Sequence, residues 1–319
     1  MYAVVDVFVS AMLPAILIIG AGAVFNAVKG VDLEPLNALA MYVLIPALVF
    51  HSIADTELGA GVLLRVGVGV VVFTLAMIAI CGAYGRLVGT EGAVLNALLL
   101  IAAFSNAGSL GIPVADFVFG SAGRQTAVLF AAVQGVLVFT VGIYLASRSG
   151  GASGRANLRR VFGLPIVHAV LLALVAHALG VVPPSDAVTM ETVGLLGDAA
   201  IPVMLLVLGI QLSETDAGDA LSMTIAPIAF RFVVAPLVGL AIVIGLGFQD
   251  PTVARVFVLL TAMPAAIAPV IFVVEFAGDA ETAGATIPEF VSTSVLVTTL
   301  VSLPILTALI AALRAGLLV

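Results

Sequence analysis

The chain has no tryptophan, a single cysteine (Cys81), a single lysine (Lys29) and three histidines, and charged side chains make up only 9% of its 319 residues. Each scarcity excludes something. One cysteine inside an apolar run rules out a disulfide framework and a thiolate metal site, and reads as a small core residue. His168 and His177 stand nine residues apart, on opposite sides of one helix, and His51 ends another apolar run, so the histidines make no metal site either. Eleven basic residues against eighteen acidic ones leave a net charge of −7, too little positive charge to hold nucleic acid. No His-Glu-x-x-His, Gly-x-Ser-x-Gly or phosphate-cradling glycine loop occurs, so an enzyme is not indicated and no cofactor is implied.

What the chain has in abundance is apolar surface: 63% of its residues are hydrophobic and its mean hydropathy is +1.32. Soluble domains carry roughly 25% charged residues, so the composition is that of a multi-pass membrane protein whose medium is the lipid bilayer. At about 20 apolar residues per crossing, ten spans fit. They are expected near Val4–Val28, Pro35–Ile53, Val62–Tyr84, Leu95–Phe119, Gln125–Ser147, Phe162–Val182, Thr189–Leu212, Leu221–Phe248, Arg255–Ala277 and Thr286–Leu313. The start, with Asp6 and no basic residue before the first run, reads as span 1 rather than a cleaved signal peptide, although Ala21-Gly22-Ala23 has the look of a cleavage site.

Short loops on one face collect Lys29, Arg86, Arg148, Arg155, Arg159 and Arg160, and those on the other Arg65, Arg124, Arg255 and Arg314. The bias puts the 148–160 loop in the cytoplasm of a plasma-membrane protein, with both termini outside.

The organising stretch is Ser105-Asn106-Ala107-Gly108-Ser109-Leu110-Gly111-Ile112-Pro113-Val114, in the middle of span 4. Lipid offers peptide groups no partners, so a spanning helix keeps its backbone bonds. Here Pro113 removes a donor and obstructs the preceding turn, and the glycines ease departure from the helix. Two readings stand: a simple proline kink, or a broken helix whose freed backbone faces protein or a cavity, which would make it a substrate site.

Ile45-Pro46 and Ile201-Pro202 lie 156 positions apart, as do Pro113-Val114 and Pro269-Val270, each pair in matching spans; Thr126 and Thr282 share the offset. Five spans per half is an odd number, so the second half would enter the membrane upside down, in the inverted-repeat plan of secondary transporters. The halves are 1–147 and 161–319, joined by 148–160. Span 9 carries its own break at Thr261-Ala262-Met263-Pro264-Ala265-Ala266-Ile267-Ala268-Pro269. Two such breaks crossing would turn half-helix N-termini, with their partial positive charge, toward an anion. Chance prolines remain the alternative.

Asn106-Ala107-Gly108-Ser109-Leu110-Gly111-Ile112-Pro113-Val114 resembles the fourth-helix motif of the auxin efflux carrier family, which contains PIN-type carriers and malate and malonate permease-like proteins. Tyr42-Val43-Leu44-Ile45-Pro46-Ala47-Leu48 resembles its second-helix motif, Leu205-Leu206-Val207-Leu208-Gly209-Ile210-Gln211-Leu212 its seventh, and Arg231 with Pro236 its eighth. The resemblance implies an all-α fold of ten transmembrane helices in two inverted five-helix repeats, shared with bile-acid symporters and sodium/proton antiporters. Spans 1, 2, 6 and 7 would form a scaffold, through which some members dimerise (here spans 2 and 7), and spans 3–5 and 8–10 a moving transport part. It implies outward transport of organic anions, with Asn106 at the crossover contacting the substrate carboxylate and Pro113 and Pro269 as crossover prolines. A departure is that spans 3 and 5 carry no acidic residue at mid-depth to bind a proton or sodium.

The candidate substrate-binding residues are therefore Asn106, Ser105, Ser109, Gly108, Pro113, Thr261, Pro264, Pro269, Gln134 and Gln211, each with a bland alternative: helix–helix glue for the amides, own-helix bonding for the hydroxyls. Arg231 could counter an anion, but snorkelling or pairing with Glu214 or Asp216 is the favoured reading. Asp198, within span 7, could titrate. The leading expectation is an uncoupled exporter of a small organic anion working by alternating access. The rivals are a sodium- or proton-coupled symporter of the same fold and a membrane sensor that transports nothing.

Overall fold

A computed structural model describes residues 5, 8–55, 59–147, 165–215, 219–266, 281–282 and 285–318. The 148–160 linker and Pro269 lie outside them, and so outside what can be said of the fold.

The described residues are almost wholly helical. In chain order the helices are α1 (Leu13–Lys29), α2 (Leu33–Ala54), α3 (Ala60–Val88), α4 (Gly92–Ala103), α5 (Ala107–Ala146), α6 (Pro165–Leu179), α7 (Val188–Glu214), α8 (Ile225–Gly245), α9 (Pro251–Thr261) and α10 (Ile287–Arg314). Six of them, α2, α3, α5, α7, α8 and α10, are long and apolar enough to cross a bilayer, and the other four are shorter apolar helices. A two-residue hairpin, β1 (Glu281–Thr282) with β2 (Ala285–Thr286), precedes α10. Thr282 is thus in a strand while Thr126 is inside α5, so this pair does not share a setting.

The distribution of polarity is that of a protein solvated by lipid. Leu17, Val24, Leu64, Leu172, Leu195 and Ile244 are exposed, while Thr293, Ser294, Thr298 and Ser302 on α10 and Arg231 on α8 are fully buried. Buried hydroxyls of α10 return their hydrogen bonds to their own helix, as Ser294 does to the Phe290 carbonyl at 2.7 Å and Thr299 to that of Val295 at 2.7 Å.

Proline explains four of the five wide π-type turns among the described residues; the fifth, Val138–Gly142, has no proline after it. The four occupy Phe8–Met12, Ala40–Leu44, Ala107–Gly111 and Phe230–Val234, and each is followed one residue later by proline: Pro14, Pro46, Pro113 and Pro236. The ring clashes with the carbonyl four residues earlier and brings no N–H, so the preceding turn opens by one residue.

α1 packs on α7, α7 on α2 and α2 on α6; α3, α4 and α9 pack on α5, and α8 and α10 pack on each other and on α4 and α9, while α5 also touches α2, α6 and α7. The α1–α7 contact is close enough to require glycine: a Cβ on Gly22 would collide with the Leu206 carbonyl oxygen, and one on Gly209 with that of Ile19. Span 4 and span 5 are joined by a corner at Gly120, whose φ of 63° and ψ of −152° no other residue adopts without strain. Hydrogen bonds identify the ends of the molecule. Asp55 accepts from Gln125 and Ser185, and Arg314 donates to the Val118 carbonyl, so the Gly120 corner, the α6–α7 connection and the end of α10 share one end. Asn26 donates to Ser213 and Glu214 at the other.

Candidate functional site

Span 4 is broken in the middle. α4 stops at Ala103, Phe104 is extended (φ −112°, ψ 110°), and the backbone resumes helical form only at Ala107. Span 9 breaks likewise: α9 stops at Thr261 and residues 262–266 are non-helical. The two breaks lie against each other. Ser105 and Ala265 form an antiparallel bridge, Asn106 N–H donates to the Pro264 carbonyl at 2.8 Å, and Ala266 N–H donates to the Phe104 carbonyl at 3.0 Å. Pro264 has no N–H to leave unpaired, and its carbonyl finds a donor across the crossing. The kink reading of Ser105–Val114 thus gives way to a break. Asn106 (φ −75°, ψ 56°) centres an inverse γ-turn in which Ala107 N–H meets the Ser105 carbonyl at 2.8 Å.

Freed backbone in a dry interior must find partners, and side chains from three other regions supply them. Gln134, on the second arm of α5, takes both hydrogen bonds that Ser105 can donate, from N–H at 3.2 Å and Oγ at 2.9 Å. Its own amide donates to the Ser105 carbonyl at 2.6 Å. Thr298 of α10 accepts from Ala265 N–H at 3.2 Å, the corresponding service to the other break. Arg231 of α8 donates through Nε to the Met263 carbonyl at 2.8 Å, through Nη1 to Ala102 at 2.8 Å and through Nη2 to Thr261 at 2.6 Å. It neither snorkels nor pairs with Glu214; it is fully buried, donating to carbonyls at the ends of both half-helices, where a helix leaves its last carbonyls without intrahelical partners.

Two buried side-chain polar atoms among the described residues lack a partner, Ser52 Oγ on α2 and, at the crossing, Asn106 Nδ2. The side-chain nitrogen of Asn106 is buried and has no hydrogen-bond partner, although Asn106 occupies the N-cap position of α5. An unmade bond of this kind costs about 1–3 kcal/mol. It borders a cavity of about 210 Å³ whose polar lining is Ser105, Asn106, Ser109 and Gln134, with Gly108 beside them. The rest of its wall is apolar, including Ile45 and Val49 of α2, Ile166 of α6 and Met204 of α7. The first N–H groups of a helix lack partners within it; in α5, Gly108 and Ser109 carry two of them at the cavity wall.

Five of the ten sequence candidates, Ser105, Asn106, Gly108, Ser109 and Gln134, therefore surround one cavity. Pro113 is buried a turn further along α5, where it shapes the backbone. Thr261 is buried, its hydroxyl bonded to the Val258 carbonyl at 2.7 Å, and with Pro264 it belongs to the crossing and not to the cavity wall. Gln211 is near the end of α7, away from the cavity.

A second cavity of about 420 Å³ lies between α1, α5 and α7 and holds Asp116, Arg124 and Asp198. Arg124 bonds Asp198 at 2.6 Å and stands 3.6 Å from Asp116. Asp198 is consequently a salt-bridge partner with a 64% exposed side chain. Sequence reading passed over this cluster, since only the Gly120 corner brings Asp116 beside Arg124.

Two comparisons bear on what such a crossing is for. Residues 7–157 and 151–310 each match the model of a family described as membrane transport protein. Over 275 residues the chain is 28% identical to an uncharacterized transporter of Methanothermobacter thermautotrophicus, covering 86% of this chain and 88% of that one. A second uncharacterized transporter, from Methanocaldococcus jannaschii, is 24% identical over 223 residues, covering 67% and 70%.

Proposed function

The chain belongs to the membrane transport protein family, that of the auxin efflux carriers, and from this premise we propose that it exports a small organic anion, a carboxylate, by alternating access. The observation that carries the reading is the buried, unpartnered amide nitrogen of Asn106 beside the 210 Å³ cavity. A carboxylate there would accept from Asn106 and from the opening N–H groups of α5, where the helix dipole favours negative charge. Ser105 is already engaged by Gln134, so in this reading both hold the site's shape and Ser109 is the hydroxyl free to turn toward substrate. The apolar wall receives the substrate's carbon skeleton.

In the same reading the two halves are inverted repeats. α1, α2, α6 and α7 form the scaffold and the helices around α5 form the moving part, in keeping with the two packing groups. The cavity has walls from both groups, as alternating access requires. An inside-negative potential drives a monovalent anion outward with about 2.3 kcal/mol per 100 mV, a gradient of roughly 50-fold.

The test is a thermal-shift screen of the purified protein with acetate, benzoate, malonate, malate and indole-3-acetate, followed by radiolabelled exchange in vesicles. At least one carboxylate is expected to stabilise the wild type and to exchange, and Asn106→Ala to need roughly 10- to 100-fold more of it for both effects. Stabilisation by uncharged compounds alone, or unaltered exchange by Asn106→Ala, overturns the reading.

A further inference from the structure

Arg231 is an unusual object for the centre of a membrane protein. It has no solvent exposure, and no carboxylate among the described residues pairs with it. Its partners are the carbonyls of Ala102 and Thr261, at the ends of α4 and α9, and of Met263, in the break that follows α9. A helix C-terminus leaves its last carbonyls without partners and carries about half a negative charge. Two such ends converge here, together about one unit of negative charge, in a region buried from solvent. Three kinds of donor could satisfy them: ordered water, an inorganic cation with carbonyl ligands, or a side-chain cation. The chain uses the third. A planar guanidinium with five N–H donors reaches carbonyls on two separate half-helices at once, which the compact ammonium of lysine cannot do with the same geometry.

The crossing ties this cation to the cavity. Met263, whose carbonyl Arg231 holds, precedes Pro264, whose carbonyl accepts from Asn106 N–H. Without a positive charge between them, the two C-termini would present their negative ends to an anion bound at Asn106. We propose that Arg231 is a resident counter-cation: its guanidinium stands where a co-transported cation would otherwise be required, so the anion crosses without sodium. The inference rests on the anion-carrier reading above and adds the reason such a carrier needs no coupling ion.

The experiment compares wild type, Arg231→Met and Arg231→Lys in choline, sodium and methylguanidinium chloride at equal ionic strength, reading the melting temperature of the purified protein and exchange of the same carboxylate panel in vesicles. Wild type is expected to melt at the same temperature and exchange at the same rate in all three salts. Arg231→Met should melt lower and lose at least about tenfold in exchange in choline, with both recovering on millimolar methylguanidinium, while Arg231→Lys lies between. Sodium-dependent exchange by the wild type overturns the proposal and needs no variant. So does an Arg231→Met protein that is folded and impaired yet indifferent to methylguanidinium, or one as stable and active as wild type in choline. Methylguanidinium rescue of melting with no exchange of any carboxylate by any protein would leave the cation site standing and remove the anion reading.

Discussion

The two cavities on either side of the α5–α7 contact are built on opposite principles. The one at the crossing is lined by amides, hydroxyls and apolar side chains, with no charged residue. The one near the Gly120 corner is built around Asp116, Arg124 and Asp198, with side chains 23%, 22% and 64% exposed. The difference follows from dielectric. Full charges cost little where water reaches them, and the deep site does its electrostatics with partial charges of backbone and amide groups, its one full charge being Arg231 held behind it. The deep polar groups should matter more, one by one, than the charged pair that looks stronger on paper.

Substitutions can break that comparison, taken here from the largest expected effect to the smallest. Gln134→Leu removes all three bonds to Ser105, leaving its N–H and hydroxyl buried without partners and its carbonyl with Ala107 N–H alone. A loss of about 3 kcal/mol or more in stability is expected, read as a fall in melting temperature in detergent, with exchange lost as the break deforms. Asn106→Ala should separate the two properties. Its side-chain nitrogen bonds nothing in the empty protein, so the melting temperature holds or rises, while carboxylate affinity falls by roughly 10- to 100-fold for one lost charge-assisted bond. Asp198→Asn removes a half-exposed ion pair joining α5 to α7 and should cost at most about 1 kcal/mol, with carboxylate affinity unchanged and exchange rate altered by no more than about fivefold. Raising the salt to about 1 M should then erase the difference between wild type and Asp198→Asn and leave that of Gln134→Leu intact. An Asp198→Asn defect larger than that of Gln134→Leu would reverse the comparison outright.

That apolar helices make up the chain, six of them long enough to cross a bilayer, and that the backbone breaks within Ser105–Val114 was legible because lipid imposes long apolar runs and tolerates so few exceptions that an Asn-Ala-Gly-Ser cluster before a proline stands out. The pairing of the two breaks was legible only as equal proline offsets, and their register was not: the bridge joins Ser105 to Ala265, 160 positions apart, where the proline spacing is 156. Arg231 was misread because nearness along the chain pointed to Glu214, whereas its partners are backbone carbonyls 30 to 129 residues away, groups every residue has and no motif marks. Gln134 was suspected as a cavity amide, but that it grips Ser105 at three points depends on the Gly120 corner folding the second arm of α5 back along the break.

The crossing itself carries one more consequence. Its two central bonds, Asn106 to Pro264 and Ala266 to Phe104, run between main-chain atoms. Main-chain bonds ask nothing of side-chain identity beyond the prohibition on proline as donor. The geometry of the crossing is therefore inheritable almost independently of what lines the cavity around it. Ile45, Val49, Ile166 and Met204 can drift to fit a new substrate without dismantling the frame that presents it, which makes this architecture a ready starting point for changing selectivity by evolution or by design.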